Sequence, residues 1–186
     1  MRRPTPLKRT GLKAADFKLI GEIVVLSGMI EDTLKRMPLA MLRVAEVPGI
    51  AMTTHLKASS LCDMVLAITP YFVQWDDLTT EVEEAIKLVR KASDVRNDIV
   101  HGPFCFKPET PFKGTRKLTA RSQLRLTERS YSEGQLAEAL ALHINAWQAV
   151  ADCYVGMYAL AEDREHRGQS PLRPDFAAKA DRQTDA

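Results

Sequence analysis

The residues of this 186-residue chain best suited to chemistry lie in one heptapeptide, Arg96-Asn97-Asp98-Ile99-Val100-His101-Gly102. Arginine, asparagine and histidine at this spacing can hold an anion and move a proton. A guanidinium grips phosphate bidentately and stabilises negative charge as it develops. Imidazole titrates near neutrality and acts as general base or acid. The Asn97 carboxamide can orient either His101 or the phosphate. None of this requires a metal or cofactor, and no ligand spacing suggests one. Cys62, Cys105 and Cys153 lie far apart without a CxxC pair, the pattern of reduced thiols in a cytoplasmic protein.

A helix must position the motif. Upstream, Val82, Ala85, Val89 and Ala92 form an apolar seam whose next slots are Arg96 and Ile99. A guanidinium therefore stands where an apolar side chain is expected. Burying an unpaired charge is expensive, so Arg96 must snorkel, find a carboxylate or serve a site. Glu31 and Asp32 of the first helix are candidate second-shell orienters, and Asp94 or Asp98 could pair with it instead. Asn97 and His101, four apart, share one flank. Arg96 and His101, five apart, splay by roughly 140° on an ideal helix. They would share a substrate only at a frayed last turn or across an interface with a second copy. The plainer role for His101 is a cation at a helix C-terminus, capped by Gly102.

The ten prolines leave Pro-free stretches for the remaining helices. A first helix is expected over about 14–37, with one stripe of Leu19, Ile23, Leu26, Ile30 and Leu34 and a second of Phe17, Ile20 and Val24. The second stripe would face the core or a partner chain. The segment 38–53 reads as irregular or a short helix. Another helix covers about 54–68, with Leu61, Val65 and Ile68 inward. The motif helix follows Asp76-Asp77, with Thr80 and Glu83 as a capping box. The last helix starts at Ser132 and carries Leu136, Leu140, His143, Trp147, Val150, Tyr154 and Met157 to about Ala161; His143 reads as a satisfied core or interface group. The fold class is all-α, a four- to five-helix bundle with a long loop or small β-hairpin inserted before the last helix. The domain spans 14–161, between a basic tail (1–13) and a polar tail (162–186). No apolar run spans a bilayer: the longest, 19–30, contains Glu22. No secretory peptide is evident.

With R-x4-H near a helix end and a polar residue after the arginine, Arg96-Asn97-x-x-x-His101 resembles the HEPN superfamily (higher eukaryotes and prokaryotes nucleotide-binding). The layout over about 14–161 is similar as well: a helical bundle, the motif in a long helix, an insertion, then a long last helix. The resemblance implies a metal-independent endoribonuclease acting as a homodimer, with two motifs facing across the interface. It could belong to a toxin–antitoxin or phage-defence system and have an antitoxin or regulatory protein as partner. Arg96 would clamp the phosphate and His101 would be the base or acid. The alternative is a non-catalytic module of the same kind that binds RNA or a protein. Some toxin members carry a tyrosine two residues after the histidine; here that position is Pro103.

Charge adds a location. The formal net charge of +2 excludes a bulk polycation. Yet residues 1–13 hold five basic groups and no acid, and residues 107–129 hold seven basic groups against two acidic ones. Lys107, Lys113, Arg116, Lys117 and Arg121, directly after the motif, are candidate contacts for an RNA backbone.

Overall fold

A computed structural model describes residues 10, 12–73, 76–101, 104–107, 112–120, 124–131 and 133–170. The fold is a helical bundle. Its helices are α1 (Ala14–Leu42), α2 (Glu46–Thr53), α3 (Ala58–Phe72), α4 (Asp76–His101) and α5 (Glu133–His166). Among the described residues, no helix is long and apolar enough to cross a membrane. The chain divides into two compact units. One comprises residues 1–27 and 91–144, the other residues 28–90 and 145–186.

The first unit holds the motif. α1 starts where Asp16 reaches back, its Oδ2 accepting the Lys13 backbone N–H at 2.6 Å, one half of a capping box. Ile23, Ile99, Tyr131, Leu136 and Ala139 form the core, with Leu19, Ile20, Val95 and Leu140 packed against it. Of the expected α1 stripe, Ile23, Ile30 and Leu34 are buried and Leu19 and Leu26 half-buried; of the second stripe, Phe17 and Val24 are exposed and Ile20 is half-buried. Between α4 and α5 the backbone forms three antiparallel strands in the order β1–β2–β3: β1 (Phe104–Lys107), β2 (Phe112–Ala120) and β3 (Leu124–Ser130). Register pairs Lys107 with Phe112 and Lys113 with Phe106; Arg116 faces Glu128 and Lys117 faces Thr127 across β2–β3. Arg121 lies outside the described residues.

In the second unit, two helices run through prolines expected to end them. α1 continues past Pro38 to Leu42, and α3 continues past Pro70 to Phe72. Each proline removes one intrahelical donor, but Met41 and Phe72 lie beyond them and are fully buried. Their burial, about 1.5–3 kcal/mol for a large apolar side chain, offsets the lost bond. α3 is buried along Leu61, Val65, Thr69 and Phe72, with Ile68 only half-buried. α4 begins at Asp76 rather than at Thr80, so Thr80 and Glu83 are interior and the two aspartates stand at the start.

α5 extends five residues beyond the expected end at Ala161 and closes in a Schellman motif. Gly168 (φ 64°) donates to the Glu165 carbonyl at 2.9 Å, and Gln169 to that of Arg164 at 2.9 Å. Arg164, in the added turn, is buried, and its guanidinium lies over the Phe72 ring at 4.9 Å. The buried face of α5 runs Leu136, Ala139, His143, Ala146, Val150, Cys153, Met157 and Leu160. These alternate steps of three and four leave Leu140, Trp147 and Tyr154 half-buried on the flank.

Candidate functional site

α4 carries its apolar seam to the motif as expected: Val82, Ala85, Val89, Ala92 and Ile99 are all buried. Arg96 occupies the same seam and is half-buried, as is Asn97, while His101 in the last turn is exposed. The three motif side chains meet within one chain. Arg96 Nη1 donates to Asn97 Oδ1 at 3.1 Å and to His101 Nε2, also at 3.1 Å. This corrects the expected splay. A long arginine side chain leans along the helix, so the angle between Cα positions does not limit its tip. Guanidinium has no acceptor, so His101 Nε2 accepts this bond, and the ring is neutral with its proton on Nδ1.

Of the expected carboxylate partners, Glu31 and Asp32 belong to the other unit. Asp32 is engaged by Arg36, Nε to Oδ2 at 2.9 Å, and Arg36 also reaches Glu46 at 2.7 Å. Among the described residues of the motif's unit, no carboxylate forms an ion pair with Arg96. Its hydrogen-bond partners are neutral acceptors. Arg96 Nε–H, meanwhile, is buried without a partner. A cation held this way keeps its charge uncompensated, which is the electrostatic condition for binding an anion.

The same core contains a residue that the sequence pattern assigned to packing. His143 on α5 is fully buried, at 0% exposure. Its Nδ1–H donates to the Ala139 carbonyl at 2.7 Å, and its Nε2 is buried without a partner. It is thus a half-satisfied group rather than a satisfied one. Burial pushes its pKa below the usual histidine value; the Arg96 charge adds to that push, and the bond to Ala139 opposes it. A histidine in an apolar seam was the available signal, but the seam does not reveal the cation on another helix.

Other features contribute less. A cleft of about 540 Å³ is lined in part by Lys91, Val95, Gln135 and Glu138; none of Arg96, Asn97 or His101 lines it. Lys107, Lys113, Arg116 and Lys117 are placed on β1 and β2 by backbone register alone. Cys62 and Cys153 are buried free thiols that burial pushes up, Cys153 to about 11, which leaves them poor nucleophiles. Among the described residues, no group of three or more His, Cys, Asp or Glu could hold a metal ion. Comparison with known protein families, curated proteins and solved structures finds no match for the chain.

Proposed function

We propose that the protein is a HEPN-like, metal-independent endoribonuclease that acts as a homodimer, with the Arg96/His101 motifs at the interface, in a toxin–antitoxin or phage-defence setting. One observation carries the reading: among the described residues, the Arg96 guanidinium is held by the neutral acceptors of Asn97 and His101 and by no carboxylate. A purely structural arginine would be expected to neutralise its charge against an acid. Here the side chain is oriented yet available to a phosphate.

In the reaction, an RNA phosphate binds the free N–H groups of Arg96. His101 Nε2 exchanges its bond to Arg96 for the 2′-hydroxyl and takes its proton. The 2′-oxygen attacks phosphorus, and the bond to the 5′-oxygen breaks. That oxygen leaves with a proton from solvent water, His101 returns its proton to solvent, and a 2′,3′-cyclic phosphate remains. Arg96 offsets the charge that builds on the equatorial oxygens, and Asn97 holds Arg96 while His101 turns to the substrate. Exposed Phe17, Val24 and Val25 on α1, in the same unit as the motif, support a homodimer surface.

RNA cleavage in EDTA tests the reading. His101→Ala is expected to lose on the order of 10²–10⁴-fold in rate and Arg96→Ala on the order of 10²–10³-fold. Equal cleavage by wild type and both variants overturns it. The non-catalytic alternative rests on the same exposed α1 stripe as a docking face. A wild type that binds RNA or a protein without cleaving RNA would favour that alternative.

A further inference from the structure

We infer that His143, on a different helix from the motif, is the positioning residue for the Arg96 guanidinium: its Nε2 lone pair supplies the acceptor that the buried Nε–H of Arg96 lacks. This rests on the reading of Arg96 as the phosphate clamp. The two orphaned atoms are complementary, one a donor and the other an acceptor. Both belong to one compact unit and one core. Ile99 lies one turn after Arg96 on α4, Ala139 lies one turn before His143 on α5, and Ile99 and Ala139 pack in the same cluster. The Arg96 charge acts on His143 across that core.

The bond from His143 Nδ1–H to the Ala139 carbonyl decides the tautomer and leaves Nε2 as an acceptor. The negative end of the ring dipole therefore lies at Nε2, available to a cation that has no carboxylate partner among the described residues. Asn97 and His101 hold Arg96 at Nη1, near its exposed tip. His143 complements it at Nε, near its buried stem. Once Nε–H closes onto His143, the fork is held at both ends and its remaining N–H groups stay aimed outward. Neither Arg96 Nε nor His143 Nε2 has a hydrogen-bond partner in the structure; the bond from Nε–H to Nε2 forms as Arg96 grips a phosphate. His143 thus acts through Arg96 and does not touch RNA.

Three substitutions separate this role from packing. His143→Gln puts an amide oxygen near the Nε2 position. His143→Asn keeps a donor for the Ala139 carbonyl but has no acceptor at that position. His143→Phe keeps the ring and lacks both. The readouts are metal-free RNA cleavage and the exchange rate of the Arg96 Nε–H, followed by NMR in 15N-arginine-labelled protein saturated with inorganic phosphate. In Phe and Asn, Nε–H exchange is expected to accelerate and cleavage to fall roughly 10- to 100-fold, the scale of a small misplacement of a reacting group. Gln is expected to recover both toward wild type. If Phe and Asn match wild type, or if Gln is as impaired as they are, the inference is wrong. If Phe does not fold, the Gln–Asn comparison decides. If wild type cleaves no RNA, the nuclease reading falls, and the Nε–H exchange still decides whether His143 positions Arg96.

Discussion

Among the described residues of its unit no acid pairs with Arg96, and His143 feels the consequence. In the unfolded chain His143 takes up a proton near the ordinary histidine value of about 6.5. In the folded protein its pKa is lower, first because burial disfavours the charged ring and then because Arg96 is near. Between those two values the unfolded state binds more protons than the folded state. Stability contributed by neutral His143 is therefore full above about pH 6.5 and declines as pH falls, by at most about 1.4 kcal/mol per pH unit for one proton. Urea denaturation at pH 7.5 and 5.5 should show a larger loss in wild type than in His143→Gln, which cannot titrate. Replacing the neighbouring cation, Arg96→Met, should raise the His143 titration midpoint toward the ordinary value, as read by NMR. An unchanged midpoint would mean that the guanidinium is not part of its environment. The interruption of the α4 seam by Arg96 was legible in the sequence because helical periodicity fixes which slots face inward. His143 was legible only as a member of the α5 seam. Its relation to Arg96 depends on how two helices align, and no local pattern within either helix encodes that.

At the scale of elements, the helix ends carry what periodicity missed. α1 ends at Leu42, and Arg43 follows with φ 53°, a left-handed conformation usually left to glycine. It occupies the same Schellman position as Gly168: Val44 N–H donates to the Leu39 carbonyl at 3.0 Å, as Gln169 does to Arg164. An arginine stands there because its side chain ties α1 to the end of α5. Nη2 donates to the Ala161 carbonyl at 2.9 Å and Nη1 to the Gln169 carbonyl at 3.3 Å. Hydrogen bonds involving a charged group contribute about 1.5–3 kcal/mol, against a left-handed cost of about 1–2 kcal/mol. Arg43→Ala loses the bonds and keeps the strain, so thermal denaturation should show it destabilised by about 2 kcal/mol. Arg43→Gly loses the same bonds and relieves the strain, and should be less destabilised by about 1 kcal/mol. If Ala and Gly are equally stable, the backbone at 43 is not strained. Gly168, just past a turn containing Arg164, His166 and Arg167, was a readable stop signal for α5. Reading the end at Ala161 overlooked it because the apolar seam fades there, and the added turn is held by an arginine over a ring rather than by aliphatic packing.

Across the whole molecule, charge is divided by segment. After removing 1–13, 107–129 and 162–186, the helical remainder holds nine basic and sixteen acidic groups. An acidic body repels a polyanion, so if RNA binds, attraction must come from the basic segments. The segment 107–129 directly follows the motif, and Lys113, Arg116 and Lys117 all lie on its middle strand, β2. Each phosphate neutralised on single-stranded RNA contributes about 0.7 to the slope of log affinity against log salt. Replacing the three together with glutamine should lower that slope by roughly 2 if each meets one phosphate. The rate constant for cleavage of bound RNA should change little, because Arg96, Asn97 and His101 are intact. Removing three exposed cations outside the strands, Lys18, Lys57 and Lys87, tests whether bulk charge alone is responsible. On the local reading, this second triple variant keeps the wild-type slope. If both variants lower the slope equally, RNA responds to the net charge of the chain and not to β2. If neither lowers it, the strands after α4 do not contact the RNA backbone.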